Sequence, residues 1–360
     1  VDAVKETAPN AAPKTNQKSE DKMTLRIALS GAGYIANIHA RAIDSLPKAE
    51  ITALVDYRPE ETLTFRQAHK IDAVFTTVDA LVDSDAADAL VICTPNALHA
   101  PQTLQALAGG LHVFVEKPMA LNADQAQAMC RAAEEHGRNL MVGHCWRFDA
   151  EAQWLRQQVD DGKMGRIIRT KGYGIHANWG PAGWFKDKAL SGGGALVDMG
   201  IHAIDTARYL MGDPLPTQVY ADIGTYYIDA AVDDTGMVII HWNNGAVSLI
   251  ESGWWQPHMD GPEAGTGLYG SRGYGGLFPT LLEIPHREKA WVEKIDPGFA
   301  FPRQEHCPQA MYQQQMAHFI DTIQANQKPN PGGEEGWINM LILDAAYRSS
   351  RTGKVEDIQC

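Results

Sequence analysis

The sequence predicts a doubly wound α/β half on a parallel sheet, followed by an α+β half on a large, mainly antiparallel open sheet. Three observations lead there. A strand–glycine turn–helix–strand–acid unit occupies Thr24 to Asp56. Apolar strands then alternate with helices up to about residue 144, the pattern of a parallel sheet. Beyond about residue 150, strands follow one another without helices between them, which favours antiparallel pairing.

The first unit reads as strand Leu25–Leu29, turn Gly31-Ala32-Gly33, a helix from Tyr34, and strand Ile51–Val55 ending at Asp56. This is the order of the dinucleotide-binding fingerprint. Gly31 permits the tight turn. Gly33 lets backbone N–H groups approach a pyrophosphate at the helix N-terminus, where Tyr34 and Ile35 begin the helix. Ala36 holds the close-packing position, and Asp56 stands where an acid grips a ribose 2′-hydroxyl. Asp56 repels a 2′-phosphate and favours NAD, while Arg58 offers a partner for one, so NADP stays open.

Next come a helical segment (59–70), a short strand (73–75), and the buried run Ala89–Cys93, which ends at Thr94-Pro95-Asn96. Helix 99–108 leads to strand Leu111–Val115, which runs into Glu116-Lys117-Pro118, and helix 122–136 leads to Asn139–Gly143. Ligands on such a sheet sit beyond the carboxyl ends of its strands. Gly31, Asp56, Thr94, Pro95, Glu116 and Lys117 all lie at such ends.

In the second half, a helix at 149–160 precedes strands at 166–175, 217–228, 235–242, 245–253 and within 277–295. Asn243-Asn244-Gly245 marks a hairpin between the third and fourth. Seven glycines between 261 and 276 read as a mobile loop over the sheet, and no GK[ST] follows to make a P-loop. Ile338, Leu341, Ile342 and Ala345 recur at helical spacing, predicting an amphipathic helix over 333–350.

Composition narrows the class. The 360 residues suffice for two domains, and 44% hydrophobic with 21% charged residues is ordinary for a globular chain. A formal charge of −13 argues against nucleic acid and anionic membrane as partners. Five cysteines without a close pair fit a reducing compartment and form no CxxC metal site. No apolar run approaches a membrane span. Residues 1–22 read as a disordered arm, an added leader or the remnant of a processed export signal, with Met23 as a candidate start. The first two readings suit a cytoplasmic protein and the third a periplasmic one.

Two places carry candidate chemistry. Lys117 ends a strand beside a proline on the nucleotide side. Residues 192–210, GGGALVDMGIHAIDTARYL, read as a flexible triglycine leading into a helix with Asp198 and His202 at i,i+4 on one face. An intrahelical pair is the plainer reading of those two. A zinc site lacks HExxH and a third ligand.

The combination of GAGYIA with His39, TPNALH (94–99), EKP (116–118) and GGGALVDMGIHAID (192–205) resembles the glucose–fructose oxidoreductase, inositol dehydrogenase and rhizopine catabolism protein superfamily, Gfo/Idh/MocA. The resemblance covers about residues 24–355. It implies an N-terminal Rossmann domain (23–145) and a substrate-binding and oligomerisation domain (146–360) whose open sheet builds homodimers or homotetramers. It implies NAD- or NADP-dependent oxidation or reduction of a sugar, sugar-derivative or cyclitol hydroxyl. Lys117 matches the family's lysine, and Asp198 and His202 its aspartate–histidine pair. Histidine titrates near neutrality and suits a general base, lysine suits stabilisation of an alkoxide, and Asp198 orients His202 or binds a hydroxyl. On residue type alone the lysine and histidine roles are interchangeable. Glu116, His99 and the Trp146-Arg147-Phe148 segment fall where relatives complete the nicotinamide–ribose pocket, and Asn96 is a further candidate cofactor contact. Trp179, Trp184, Trp254, Trp255, His176 and His258 are candidate sugar contacts, with core packing the commoner fate of tryptophan. Alternatives within the family are enzymes that retain their nucleotide (an aldose–aldose oxidoreductase or an NAD-dependent glycosidase) and nucleotide-sensing regulators without turnover.

Overall fold

The structure, a computed structural model, describes residues 24–257, 262–303 and 305–360. The apolar runs of the first half pair in parallel: β1 (Leu25–Ser30), β2 (Ala49–Val55), β3 (Ala73–Phe75), β4 (Ala89–Ile92), β5 (His112–Val115) and β6 (Leu140–Val142). Their spatial order is β3-β2-β1-β4-β5-β6. Helices α1 (Tyr34–Asp44), α2 (Leu63–His69), α3 (Val78–Asp83), α4 (His99–Ala108) and α5 (Ala123–Glu135) make the crossovers. All four residues of β4 and Val113–Val115 of β5 are buried, as strands covered on both faces must be. Strand order reverses about β1, so a crevice opens at the carboxyl ends of β1 and β4.

After α6 (Ala150–Asp160) comes β7 (Ile167–His176), then the single turn α7 (Lys188–Ser191) and α8 (Ile201–Leu210). A π-helical turn, Leu196–Gly200, runs directly into α8. Strands β8 (Pro216–Gly224), β9 (Thr235–Trp242), β10 (Val247–Trp254), β11 (Ala264–Gly270), β12 (Tyr274–Leu277), β13 (Leu281–His286) and β14 (Trp291–Ile295) follow. Helices α9 (Gln309–Gln324) and α10 (Gly333–Thr352) and the short β15 (Glu356–Asp357) end the chain. The second sheet runs β14-β13-β12-β11-β7-β10-β9-β8-β15, parallel only at β7–β10. In β9, Gly236, Val238, Ile240 and Trp242 are buried while Met237 and His241 face out, the alternation of a sheet covered on one side. Asn243–Gly245 makes the β9–β10 hairpin, with Gly245 at φ 80°.

One expectation fails. Gly261 lies outside the described residues; the rest of the glycine-rich stretch is no mobile loop but supplies β11, beside β7 in the sheet, and β12 beside β11. Glycine is needed there for close approach. A Cβ on Gly270 would lie 2.2 Å from the Met164 carbonyl oxygen.

The predicted C-terminal helix exists as α10, with Ile338, Ile342 and Ala345 buried. It packs against both α5 and β8, while α9 lies on α1. One apolar core therefore runs through both sheets, and the cleft between them is held from two sides.

Candidate active site

The strand–turn–helix unit builds a cradle for an anion. Gly31 has φ 89°, and a Cβ there would sit 3.0 Å from the Cys93 carbonyl oxygen. Gly33 caps α1 without a side-chain hydrogen bond, and the first turn holds no acidic residue. Nothing lies within 4 Å of where a Gly33 Cβ would be, so the space over the helix N-terminus is open. Unpartnered N–H groups, the positive end of the helix dipole and open space fit a pyrophosphate. At the end of β2, Asp56 accepts a hydrogen bond from the Arg58 N–H at 2.9 Å. The Arg58 guanidinium turns to Glu61, at 2.8 Å, and lies over the Tyr57 ring. It is already engaged there, which fits NAD better than a 2′-phosphate.

Further in, a cavity of about 250 Å³ lies between the two sheets. Tyr34, Ile35, Thr94, Asn96 and His99 line it from the α1 and β4 ends; Glu116, Lys117, Asp198, His202 and Trp184 are among the residues of its other walls. The Lys117 ammonium donates to the Asp198 carboxylate Oδ1 and to the Asp198 carbonyl oxygen, both at 2.9 Å. Trp254 Nε1–H donates to the other carboxylate oxygen at 3.1 Å. Burial pushes Lys117 down, but Asp198 and then Glu116 more than offset it, so it is held above its usual value and stays charged. His202 behaves oppositely. Burial, then Lys117, His144 and His306, hold it well below the ordinary histidine range, so its imidazole is neutral at pH 7. Trp146 stacks on its ring at 4.8 Å. Burial raises Glu116, yet the 2.6 Å hydrogen bond from His39 Nε2 brings it below the usual carboxylate value. A fixed cation, a neutral imidazole and a paired carboxylate thus share one cavity beside the anion cradle.

Residues 25–144 match the model of an oxidoreductase family with an NAD-binding Rossmann fold, and residues 152–274 match the GFO/IDH/MocA C-terminal domain. The chain belongs to the GFO/IDH/MocA family. It is 27% identical over 350 residues to D-glucoside 3-dehydrogenase of Escherichia coli K12, covering 91% of this chain and 96% of the relative. It is 28% identical over 335 residues to inositol 2-dehydrogenase of Rhizobium meliloti, covering 91% and 97%. The solved levoglucosan dehydrogenase–NADH complex superposes with a TM-score of 0.84 over 93% of this chain and 99% of the other, at 22% identity, a likeness of fold.

In this GFO/IDH/MocA chain the triglycine is locked, not flexible. Asp233, from the loop before β9, accepts the Gly194 and Leu196 N–H groups, each at 2.8 Å, and the Tyr347 hydroxyl at 2.7 Å. A Gly194 Cβ would stand 1.8 Å from the Asp233 carbonyl oxygen, so only glycine passes there. This clamp fixes the start of the π-turn that carries Asp198 into α8 and His202.

Other expected contacts sort differently. Arg147 does not line the cavity. It is buried under it, paired with Asp205 at 2.7 Å and with Asp213 at 2.8 Å. Arg147, after burial, is the main influence on Asp205 and holds its carboxyl well below the usual range. The residue has the right neighbourhood in sequence, but two carboxylates take its fork inward. Asn96 spends its amide on the Ser191 carbonyl at 2.8 Å, tying the loop after β4 to α7. His99 sits between the Pro118 and Thr94 carbonyl oxygens, at 2.7 and 2.9 Å, and burial first of all lowers its pKa. Pro95 lies between these lining residues without facing the cavity itself. Trp254 is fully buried as the Asp198 donor, so it offers no face to a sugar. Trp184 lines the cavity, stacked on Phe185 at 4.0 Å. Trp179 stacks on His176 at 3.6 Å, outside the cavity lining, and donates to Glu263. Trp255 is half exposed at φ 56°, and His258 lies outside the described residues. Sequence reasoning passed over Tyr312, Cys145, Cys307 and Asp233. The first three line the cavity, and no local motif marks any of the four.

Proposed function

We propose that this chain is an NAD-dependent dehydrogenase that moves a hydride between nicotinamide and a secondary alcohol or carbonyl carbon of a sugar, sugar derivative or cyclitol. The observation that carries the reading is the cavity at the strand ends that joins a cationic Lys117 to a neutral His202. Bound NAD supplies the hydride acceptor. The Gly31–Gly33 turn and the first N–H groups of α1 would hold its pyrophosphate, and Asp56 its ribose hydroxyls. His202, unprotonated at neutral pH, accepts the hydroxyl proton as general base. Lys117 keeps its charge and one ammonium proton beyond its two bonds to Asp198, and directs it at the developing alkoxide. Asp198 orients Lys117. The relatives act on glucosides and inositol by name, and Trp184 supplies an aromatic wall suited to a sugar ring.

The reading assigns the dinucleotide to residues 23–145 and substrate and subunit contacts to 146–360. Ile168, Tyr220 and Met237 expose apolar surface on the second sheet, which fits a homodimer or homotetramer built face to face and is tested by sedimentation. No helix of the described residues is long and apolar enough to cross a membrane. The thiol content suits a cytoplasmic protein.

The test is NADH absorbance, with NAD⁺ and NADP⁺ offered separately against inositols, aldoses, sugar acids and anhydrosugars. Formation of NADH with one polyol, lost in His202→Ala, supports the proposal. Binding of NAD without turnover of any member of the panel defeats it.

A further inference from the structure

Three of the five cysteines line the cavity: Cys93 just after β4, Cys145 just after β6 and Cys307 just before α9. The hydride transfer proposed above uses none of them. Cys145 is buried and Cys307 partly open, and the residues beside them, Trp146 and His306, pack edge to face with ring centroids 5.3 Å apart, which brings the two segments together on one wall. Around Cys307 stand Trp146, Tyr312 and the Arg303 guanidinium. Arg303 is itself fixed by Asp149 and Glu151.

These surroundings split the pair. Cys145 draws the Cys307 thiol down to about 7 against its burial, and Trp146, Tyr312 and Arg303 act in the same direction. Cys145 moves the other way, pushed well above its ordinary value by Cys307 and by burial. Burial also pushes Cys93 up. One thiol is poised as thiolate beside a second that keeps its proton, which is the asymmetry of an attacking and a resolving cysteine.

We propose that Cys307 and Cys145 form a redox-active dithiol in the cleft wall, which hydrogen peroxide oxidises to a disulfide. The Cys307 thiolate attacks one peroxide oxygen, the O–O bond breaks, and Cys307 becomes a sulfenic acid while the second oxygen leaves as hydroxide. That hydroxide takes the Cys145 proton and departs as water. The Cys145 sulfur then attacks Cys307, the S–O bond breaks and the S–S bond forms. The released hydroxide becomes water with the proton first lost from Cys307. Two thiols have given two electrons, and the peroxide has become two waters. The new bond ties the segment before α9 to the end of β6, on the wall that holds Lys117 and His202, so the oxidised chain has a different cleft.

The test uses the whole chain, reduced and freed of reductant. It is treated with stoichiometric hydrogen peroxide, its remaining thiols are trapped with N-ethylmaleimide, and its peptides are mapped by mass. A linked Cys145–Cys307 peptide that disappears with dithiothreitol, with Cys130 and Cys360 still alkylated, is the expected result. Cys145→Ser should stop at a dimedone-reactive Cys307, and Cys307→Ser should leave Cys145 alkylated. Oxidation of Cys130 or Cys360 ahead of the pair overturns the proposal. A second measurement needs no variant: iodoacetamide labelling of Cys307 should rise with a midpoint at about pH 7, and a midpoint at or above the ordinary 9.0 would also overturn it. Neither readout involves a substrate, so failure here is separate from failure of the dehydrogenase reading.

Discussion

Replacing Lys117 by methionine keeps the side-chain stem and removes the charge, which separates the two things the lysine does. In the folded chain its ammonium makes both of its bonds to Asp198, at 2.9 Å. Without it, the Asp198 carboxylate keeps the Trp254 N–H, at 3.1 Å, as its donor among the described residues. Breaking one side of a fully buried pair costs about 3–5 kcal/mol. Both side chains here retain 15–16% exposure, so about 2–3 kcal/mol is the expected loss after solvent screening. For a chain of this size that lowers the melting temperature by about 3–4 °C. Turnover on an identified polyol should fall by about 10²–10³, the usual effect of removing one preorganised donor from a developing oxyanion. Affinity for NADH, measured by fluorescence titration, should hold within about threefold, because the pyrophosphate cradle is untouched. The double variant Lys117→Met/Asp198→Asn then decides the matter. It leaves no orphaned carboxylate, so its stability should return to within about 1 kcal/mol of the parent, while turnover stays low. Recovery of turnover to within tenfold in the double variant would refute the role given to the lysine. A single variant as stable as the parent would refute the pairing.

Three further outcomes follow from the same geometry. His99, His144, His202 and His306 are all held below 6.5, in each case chiefly by burial. The unfolded chain therefore binds more protons than the folded one below that pH; stability is complete above it and falls as pH drops, by up to about 1 kcal/mol per histidine over the first unit. Urea titrations between pH 7.5 and 5.5 (~ values that bracket the ordinary histidine pKa) check the sign, and the acid limb of kcat/KM should lie below the ordinary histidine range. Gly194→Ala must push its new methyl away from the Asp233 carbonyl oxygen, 1.8 Å from where it would sit; a loss of about 4 kcal/mol or more, or failure to fold, is expected in thermal melts. Asp56→Ser removes the charge that excludes a 2′-phosphate and should shift the NADP-to-NAD ratio of kcat/KM by at least about tenfold toward NADP. An unchanged ratio would mean that Asp56 does not face the ribose.

The parts of this molecule that were legible in the sequence are those whose physical cause is local. Strand periodicity, the Gly31 turn and the acid at the end of β2 follow from neighbours in the chain, and the parallel sheet came out in its expected elements. The glycines between 261 and 276 were misread because glycine carries two opposite meanings. It loosens a free segment, but it also lets a strand pass where a side chain would strike, as Gly270 does under Met164. The triglycine at 192–194 was misread for the same reason, since the residue that fixes it, Asp233, lies about forty positions later in the chain. Arg147 shows the limit from the other side: nothing near it in sequence says that Asp205 and Asp213 will turn its guanidinium away from the cavity. The division of labour between lysine and histidine could be stated from residue type but not fixed by it, for a further reason. Residue type permits either to act as base, and only their shared burial separates them. Asp198, 81 positions from Lys117, keeps the lysine charged, while burial first and then that same charge hold His202 well below the ordinary histidine range. The acid–base assignment proposed here thus rests on the packing between the two sheets. A change that opened this cavity to water would blur the two roles even with every one of these residues intact.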